Sequence, residues 1–398
     1  MLAGRLFFNL ATQIQGIAVG WQVYALTQDP LMLGLIGLAE ALPSIAVALY
    51  AGHIADLIDR RKIVLTAVAL FSLSLLLLTI AATVGIDKSL LLIAIFSIVA
   101  ITGITRGFYN PAIFGMVADI VPRASLGNAA AWNSSFWQGA SMLGPVLGGF
   151  LYVNLHAANT YLCSTVLLFL SLLTFTFIET RTTIKEKTTQ SVSENIKEGL
   201  AFVFNNQVML GAMAMDLFAV LFGGAVALLP IFSKEIFKMG PEALGVLRAA
   251  PFIGSLLMVS SLTHRPINKN AGAIFMASVA GFGLCMIGFA LSTNFYLSLI
   301  LLALSGALDG VSVYVRSTIY QLLTPDDMKG RVASVNSIFI GSSNEIGEFE
   351  SGIAAKVLGL TRSVVFGGSM TLLVVLLTAW KAPKLRKLHI DSLIKQTP

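Results

Sequence analysis

Nine ionisable side chains fall inside long apolar runs of this sequence: Glu40, Arg106, Asp216, Arg248, Asp309, Arg316, Glu345, Glu348 and Glu350. A charge at the centre of a hydrocarbon layer costs about 2.5–3.5 kcal/mol on insertion scales. Groups kept at that cost carry protons, ions or polar ligands, or they neutralise one another. Glu345 and Glu348 are three residues apart and share one helix face with Gly341 and Gly352, whereas Glu350 points elsewhere. Asp216 lies near the middle of its run, with Gly223 two turns along the same face. It can bind a cation, a proton or a basic ligand group, or it can bond neighbouring helices together.

Arg106 and Asp309 occupy matching positions in two similar segments and carry opposite signs. Such a pair can bridge two halves of a molecule and break when a ligand binds, or it can be a permanent structural contact. Tyr109 follows Arg106 by three residues, so the two offer a cation and a π surface on one face. Asn9, Gln13 and Gly16 form a polar stripe on the first apolar helix, which reads as the wall of a water-accessible cavity. Arg316 lies near a membrane interface, where snorkelling of its head group is the simpler reading.

Other chemistries lack their residues. Cys163 and Cys285 sit in apolar runs, and the four histidines have no ligand spacing, so neither a disulfide framework nor a metal site is expected. The dipeptide Gly-Lys never occurs, which removes a Walker-type phosphate loop. No nucleophile–base–orienter set is apparent, so an enzyme is not expected.

The elements that must position these residues are membrane helices. The chain has 398 residues, 56% apolar and only 12% charged, about half the charge of a soluble protein. Its mean hydropathy is +0.83. This composition excludes a soluble enzyme, a disordered chain and a nucleic-acid binder. Apolar runs of about 20 residues recur throughout and predict an all-α membrane protein with twelve transmembrane helices. The expected spans are 5–26, 33–53, 63–84, 89–116, 127–152, 159–178, 207–233, 242–262, 272–292, 295–320, 331–358 and 362–381. Residues 1–178 form a first six-helix bundle, 179–206 a cytoplasmic linker with an amphipathic helix, 207–381 a second bundle and 382–398 a cytoplasmic tail. With both termini inside, 18 of the 26 Lys and Arg residues lie on the inner side and 5 on the outer side, which sets an N-in, C-in topology.

The two halves repeat. Gly37-Leu-Ala-Glu40-Ala-Leu-Pro43 matches Gly245-Val-Leu-Arg248-Ala-Ala-Pro251 at an offset of 208, and Gly103-Ile-Thr-Arg106-Gly107 matches Gly306-Ala-Leu-Asp309-Gly310 at an offset of 203. Asn9-Leu10 in the first span matches Asp216-Leu217 in the seventh. Two such six-helix bundles, related by a pseudo-two-fold, form the architecture of a rocking secondary transporter with its cavity between them.

The loop Gly52-His-Ile-Ala-Asp56-Leu-Ile-Asp59-Arg60-Arg61-Lys62 resembles the signature between helices 2 and 3 of the major facilitator superfamily. Leu57 and Asp59 depart from that pattern, where a basic residue and glycine are common. Three further stretches, Gly199 to Phe204, Thr324-Pro325 with Gly330-Arg331, and Gly341 to Gly352, are similar to the transmembrane-effector branch. That branch includes enterobactin-type siderophore exporters and macrolide efflux pumps.

The resemblance implies alternating access driven by a proton gradient, with no bound cofactor. Asp56, Arg60, Arg61, Arg248 and Arg331 would act in gating, Asp56 facing the N-terminus of span 11. Spans 2 and 11 would be neighbours, so Glu40, Glu345 and Glu348 would form a carboxylate cluster that, with Asp216, carries the proton. Neutralisation by Arg248 is the alternative for that cluster. Spans 1, 4, 7 and 10 would line a cavity containing Asn9, Gln13, Arg106, Tyr109, Asp216 and Asp309, and Asn336 of span 11 is placed there too. The expected protein is a monomer in a bacterial inner membrane. It would export a small molecule such as a siderophore by antiport. Drug efflux and uptake of a metal or ferric chelate are the alternatives within the fold, and a non-transporting receptor or scaffold the alternative outside it.

Overall fold

The computed structural model describes residues 1–122, 125–178, 192–325 and 328–391. Among them there is no strand. The helices are α1 (Leu2–Thr27), α2 (Pro30–Leu57), α3 (Arg60–Val84), α4 (Lys88–Ile120), α5 (Leu126–Thr176), α6 (Val192–Asn205), α7 (Gln207–Gly223) and α8 (Leu229–Ile231). A π-turn at Phe232–Ile236 continues α8. Then come α9 (Pro241–His264), α10 (Ala271–Leu291), α11 (Phe295–Leu323), α12 (Lys329–Leu358), α13 (Leu360–Lys381) and α14 (Pro383–Arg386).

Short polar residues set where several helices begin. Asp29, Asp59, Asp87, Asn206 and Asn294 each accept a backbone N–H from the first turn of the following helix. Asp59 accordingly explains one departure from the signature loop. It ends the turn after α2 and caps α3 by accepting from the Arg61 N–H at 2.9 Å.

Nine described helices are long and apolar enough to cross a membrane. The 51-residue α5 counts once among them, yet His156 (φ 60°, ψ 177°) interrupts it and leaves two helical segments. α1 and α12, of 26 and 30 residues, have sufficient length. Asn9, Gln13, Gln15 and Gln22 in the one and Glu345, Glu348 and Glu350 in the other dilute their hydropathy.

Packing divides the chain into two compact units, Met1–Thr189 with Leu229–Ala249, and Gln190–Leu228 with Ala250–Pro398. In the first unit α1 and α3 lie on α5, and α2 and α3 lie on α4. Its core holds Phe8, Val64, Phe71, Leu75, Tyr109, Tyr161 and Phe175. Leu229–Ala249 belongs by sequence repeat to the second half, but its backbone meets α5 of the first unit. A Cβ on Gly149 would overlap Pro241, and one on Gly245 would overlap Pro145. In the second unit α10 packs on α11 and α13, and α7 packs on α12 and α13, around Met215, Phe275, Val315 and Leu385.

The repeat seen in sequence has a packing counterpart within each unit. On α4, Gly103 sits against the Glu40 backbone and Gly107 against Ser44 and Val47 of α2. On α11, Gly306 sits against the Pro251 backbone and Gly310 against Ser255 of α9. Both pairs follow the spacing that lets membrane helices approach closely through small residues.

Candidate functional site

Four of the nine charged residues within the membrane helices form two pairs, and each pair lies inside one unit. In the first unit Arg106 of α4 donates to Glu40 of α2. Close approach at Gly103 brings the two helices near enough for this contact. Glu40 therefore meets a counter-charge. The grouping with Glu345 and Glu348 gave it like-charged neighbours, whereas the contact it makes is with an opposite charge. Arg106 likewise takes Glu40 as its partner, where the repeat had offered Asp309.

In the second unit Arg316 of α11 pairs with Asp216 of α7. Their side chains are only 7% and 10% exposed, so both charges are out of solvent. This contradicts the snorkelling reading of Arg316. Tyr320 and Thr324 follow Arg316 at one-turn intervals, and the Tyr320 Oη and Thr324 Oγ1 atoms are buried with no hydrogen-bond partner among the described residues. Helical spacing could have exposed this file, since Ser312, Arg316, Tyr320 and Thr324 recur every four residues.

Tyr109 is not on a cavity wall. It is 3% exposed, and its ring stacks on Phe8 with centroids 4.0 Å apart and meets Phe175 edge-on. The aromatic core of the first unit absorbs it. Asn9 and Gln13 are half-buried on α1, and Gln13 Nε2 donates to Ser141 Oγ at 3.3 Å. Asp309 and Asn336 are half-buried, and no hydrogen bond or ion pair to Asp309 occurs among the described residues. Glu345 and Glu348 are half-buried on α12 and both engage partners. They flank Gly347, which rests on the α7 backbone at Val220 and Leu221.

The gating candidates separate in the same way. Arg60 binds both carboxylate oxygens of Asp119 at 2.8 Å and also donates to the Gly115 carbonyl at 3.3 Å. Sequence reasoning had passed over Asp119; an acid at the end of α4, on the side of the basic loop, was the available signal. Arg61 donates to the Thr176 carbonyl at the end of α5. The side chain of Asp56 lies outside the described residues. Arg248 places its guanidinium beside Gly16 of α1, 3.8–3.9 Å from where a Cβ would stand. Arg331 of α12 binds Glu198 of α6 at 2.7 Å. Beside that pair Gly199 meets the Arg331 carbonyl, and Val203 enters a small apolar core with Met209, Met213, Val332 and Val335. The linker helix is thus fastened to the start of α12. No group of three or more His, Cys, Asp or Glu residues suited to a metal occurs among the described residues.

The model of the Major Facilitator Superfamily matches residues 1–347. Among curated relatives, the chain is 23% identical to the uncharacterised transporter YfiS of Bacillus subtilis, covering 95% of this chain and 91% of that one. It is 20% identical to the staphyloferrin A transporter of Staphylococcus aureus, covering 92% and 91%. It is 23% identical to the enterobactin exporter EntS of Salmonella typhimurium, covering 80% and 75%. Among solved structures, an inward-facing bacterial homologue of ferroportin shares the fold at a TM-score of 0.70 and 17% identity, covering 97% of this chain and 98% of that one. A D-xylose–proton symporter does so at 0.73 and 15% identity, covering 98% and 97%.

Proposed function

We propose, from the premise that this chain belongs to the major facilitator superfamily, that it exports a small organic molecule of the siderophore class by proton antiport. The protein is a multi-pass membrane transporter of a small molecule and not an enzyme. The observation that carries the finer reading is full-length similarity to a staphyloferrin A transporter, together with similarity to enterobactin exporters over four-fifths of the chain. Those two cargoes differ, so the shared element is an iron-chelating metabolite rather than one compound. Buried ionisable groups supply places for a driving proton. On this reading the chain has twelve spans, with α5 counted twice at His156 and α1 and α12 added to the apolar helices. Both termini face the cytoplasm of a bacterial inner membrane, and a single chain alternates access.

The test compares the spent medium of a deletion strain and its complemented parent under iron limitation, by untargeted mass spectrometry. An iron-binding metabolite found outside only in the complemented culture, and retained within the mutant, is the expected result. Identical media refute siderophore export and leave drug efflux or uptake as the use of the fold.

A further inference from the structure

We propose that Asp216, Arg316, Tyr320 and Thr324 form the inward leg of a proton pathway that ends on the Asp216 carboxylate. This rests on the proton-driven reading above and assigns its route. The first observation is the buried ion pair itself, with both side chains at or above nine-tenths buried. The second is independent: Tyr320 Oη and Thr324 Oγ1 are buried without partners among the described residues. Native interiors rarely leave such atoms unsatisfied, and ordered water is the usual remedy. From Arg316 to Thr324 the helix rises about 12 Å, ending where α11 ends. Under the N-in topology that end is cytoplasmic.

The sequence repeat supplies a control within the molecule. At the offset of 203 that aligns α11 with α4, Arg316, Tyr320 and Thr324 correspond to Ile113, Val117 and Val121. Asp216 corresponds to Asn9. At these aligned positions the first unit carries no charge, and Ile113 is 2% exposed there. A buried ion pair gains little over well-packed apolar groups. The aligned positions of the first unit are uncharged, so the pair in the second unit is free to serve a use of its own.

The step balances as one proton moved. Hydronium at the end of α11 gives a proton to water shared by Thr324 Oγ1 and Tyr320 Oη. Each hydroxyl accepts a proton on its oxygen and releases its own, and the last transfer protonates Asp216. The guanidinium, always charged, carries no proton and loses its ion-pair partner. Reversal releases the proton inward and restores the pair. Around Asp216, Arg316 and Tyr320 are the titratable groups brought by α11. The neighbours of α7 contribute Val203 from α6, Phe282 from α10, Thr371 from α13 and Leu385 from α14. α12 contributes Gly347, with Glu345 and Glu348 on the adjoining turns.

Infrared spectroscopy of the full chain in liposomes tests this without the cargo. The probes are pH and heavy water, and the signal is the C=O stretch of a protonated carboxyl group. A band absent in Asp216→Asn is expected to appear on acidification, and Arg316→Gln is expected to move its midpoint to higher pH. Tyr320→Phe and Thr324→Val are expected to keep the parent midpoint and slow deuterium exchange of that band about tenfold, the rate equivalent of one lost hydroxyl contact. Where Asp216→Asn alone fails to fold, the double variant Asp216→Asn with Arg316→Gln provides the band assignment. Absence of a titrating Asp216 band while the protein stays folded overturns the pathway, as does exchange equal to the parent in both hydroxyl variants. Metabolite flux driven by a pH gradient is measured in parallel. Gradient-dependent flux with no exchange at Asp216 refutes this route alone. Exchange through the file with flux indifferent to the gradient supports the route and refutes proton antiport.

Discussion

Transplanting the repeat mates of the buried pair separates its electrostatic from its packing contribution. Asp216→Asn leaves the Arg316 guanidinium buried without its counter-ion, and Arg316→Ile does the same to the Asp216 carboxylate. With side-chain exposures of 7% and 10%, bulk solvent does not solvate either group in compensation. Breaking one partner of such a pair costs about 3–5 kcal/mol. The double variant Asp216→Asn with Arg316→Ile installs the residues that the first unit carries at Asn9 and Ile113. It buries no charge, so its loss is expected to be about 1 kcal/mol, mainly from imperfect packing. The two substitutions should therefore couple by about 5 kcal/mol or more. The assay is thermal unfolding of purified protein, followed with a thiol-reactive dye. Cys285 is buried and Cys163 half-buried, so both react as the helices separate. Single variants as stable as the parent, or a double variant no better than the worse single, would refute the reasoning. The first outcome would mean the pair is hydrated, and the second that the helix contact depends on its shape.

Two further outcomes follow from backbone contacts. Gly103→Val and Gly306→Val place side-chain atoms on the Glu40 and Pro251 backbones, so each should lower stability by about 1–3 kcal/mol in the same thermal assay. Gly341→Ala, with nothing within 4 Å of the added Cβ, should be neutral or stabilising by up to ~1 kcal/mol, and equal losses at all three positions would contradict the packing account. Gly199→Leu with Glu198→Gln removes two of the three fastenings of α6 to α12 and should raise amide hydrogen exchange across Val192–Asn205 while α7 stays protected. Unchanged protection of α6 would show that the apolar contact at Val203 holds it alone.

Hydropathy, basic-residue bias and the internal repeat were enough to establish an all-helical membrane transporter. Each is a sum over many residues, and the bilayer imposes its length and apolarity on every span. The glycine pairs Gly103/Gly107 and Gly306/Gly310 were legible as repeat marks, and the structure adds that they set helix approach. Tertiary structure decided who partners whom. Glu40, Arg106, Asp216 and Arg316 were all visible as costly charges, but a one-dimensional pattern gives depth and helix face, not the neighbouring helix. Crossing geometry joined Glu40 to Arg106 and Asp216 to Arg316, closed Tyr109 into an aromatic core, and joined Leu229–Ala249 to the first unit. The physical reason is that periodicity is local, whereas a pair contact depends on where two helices cross, and small residues distant in the chain set that crossing.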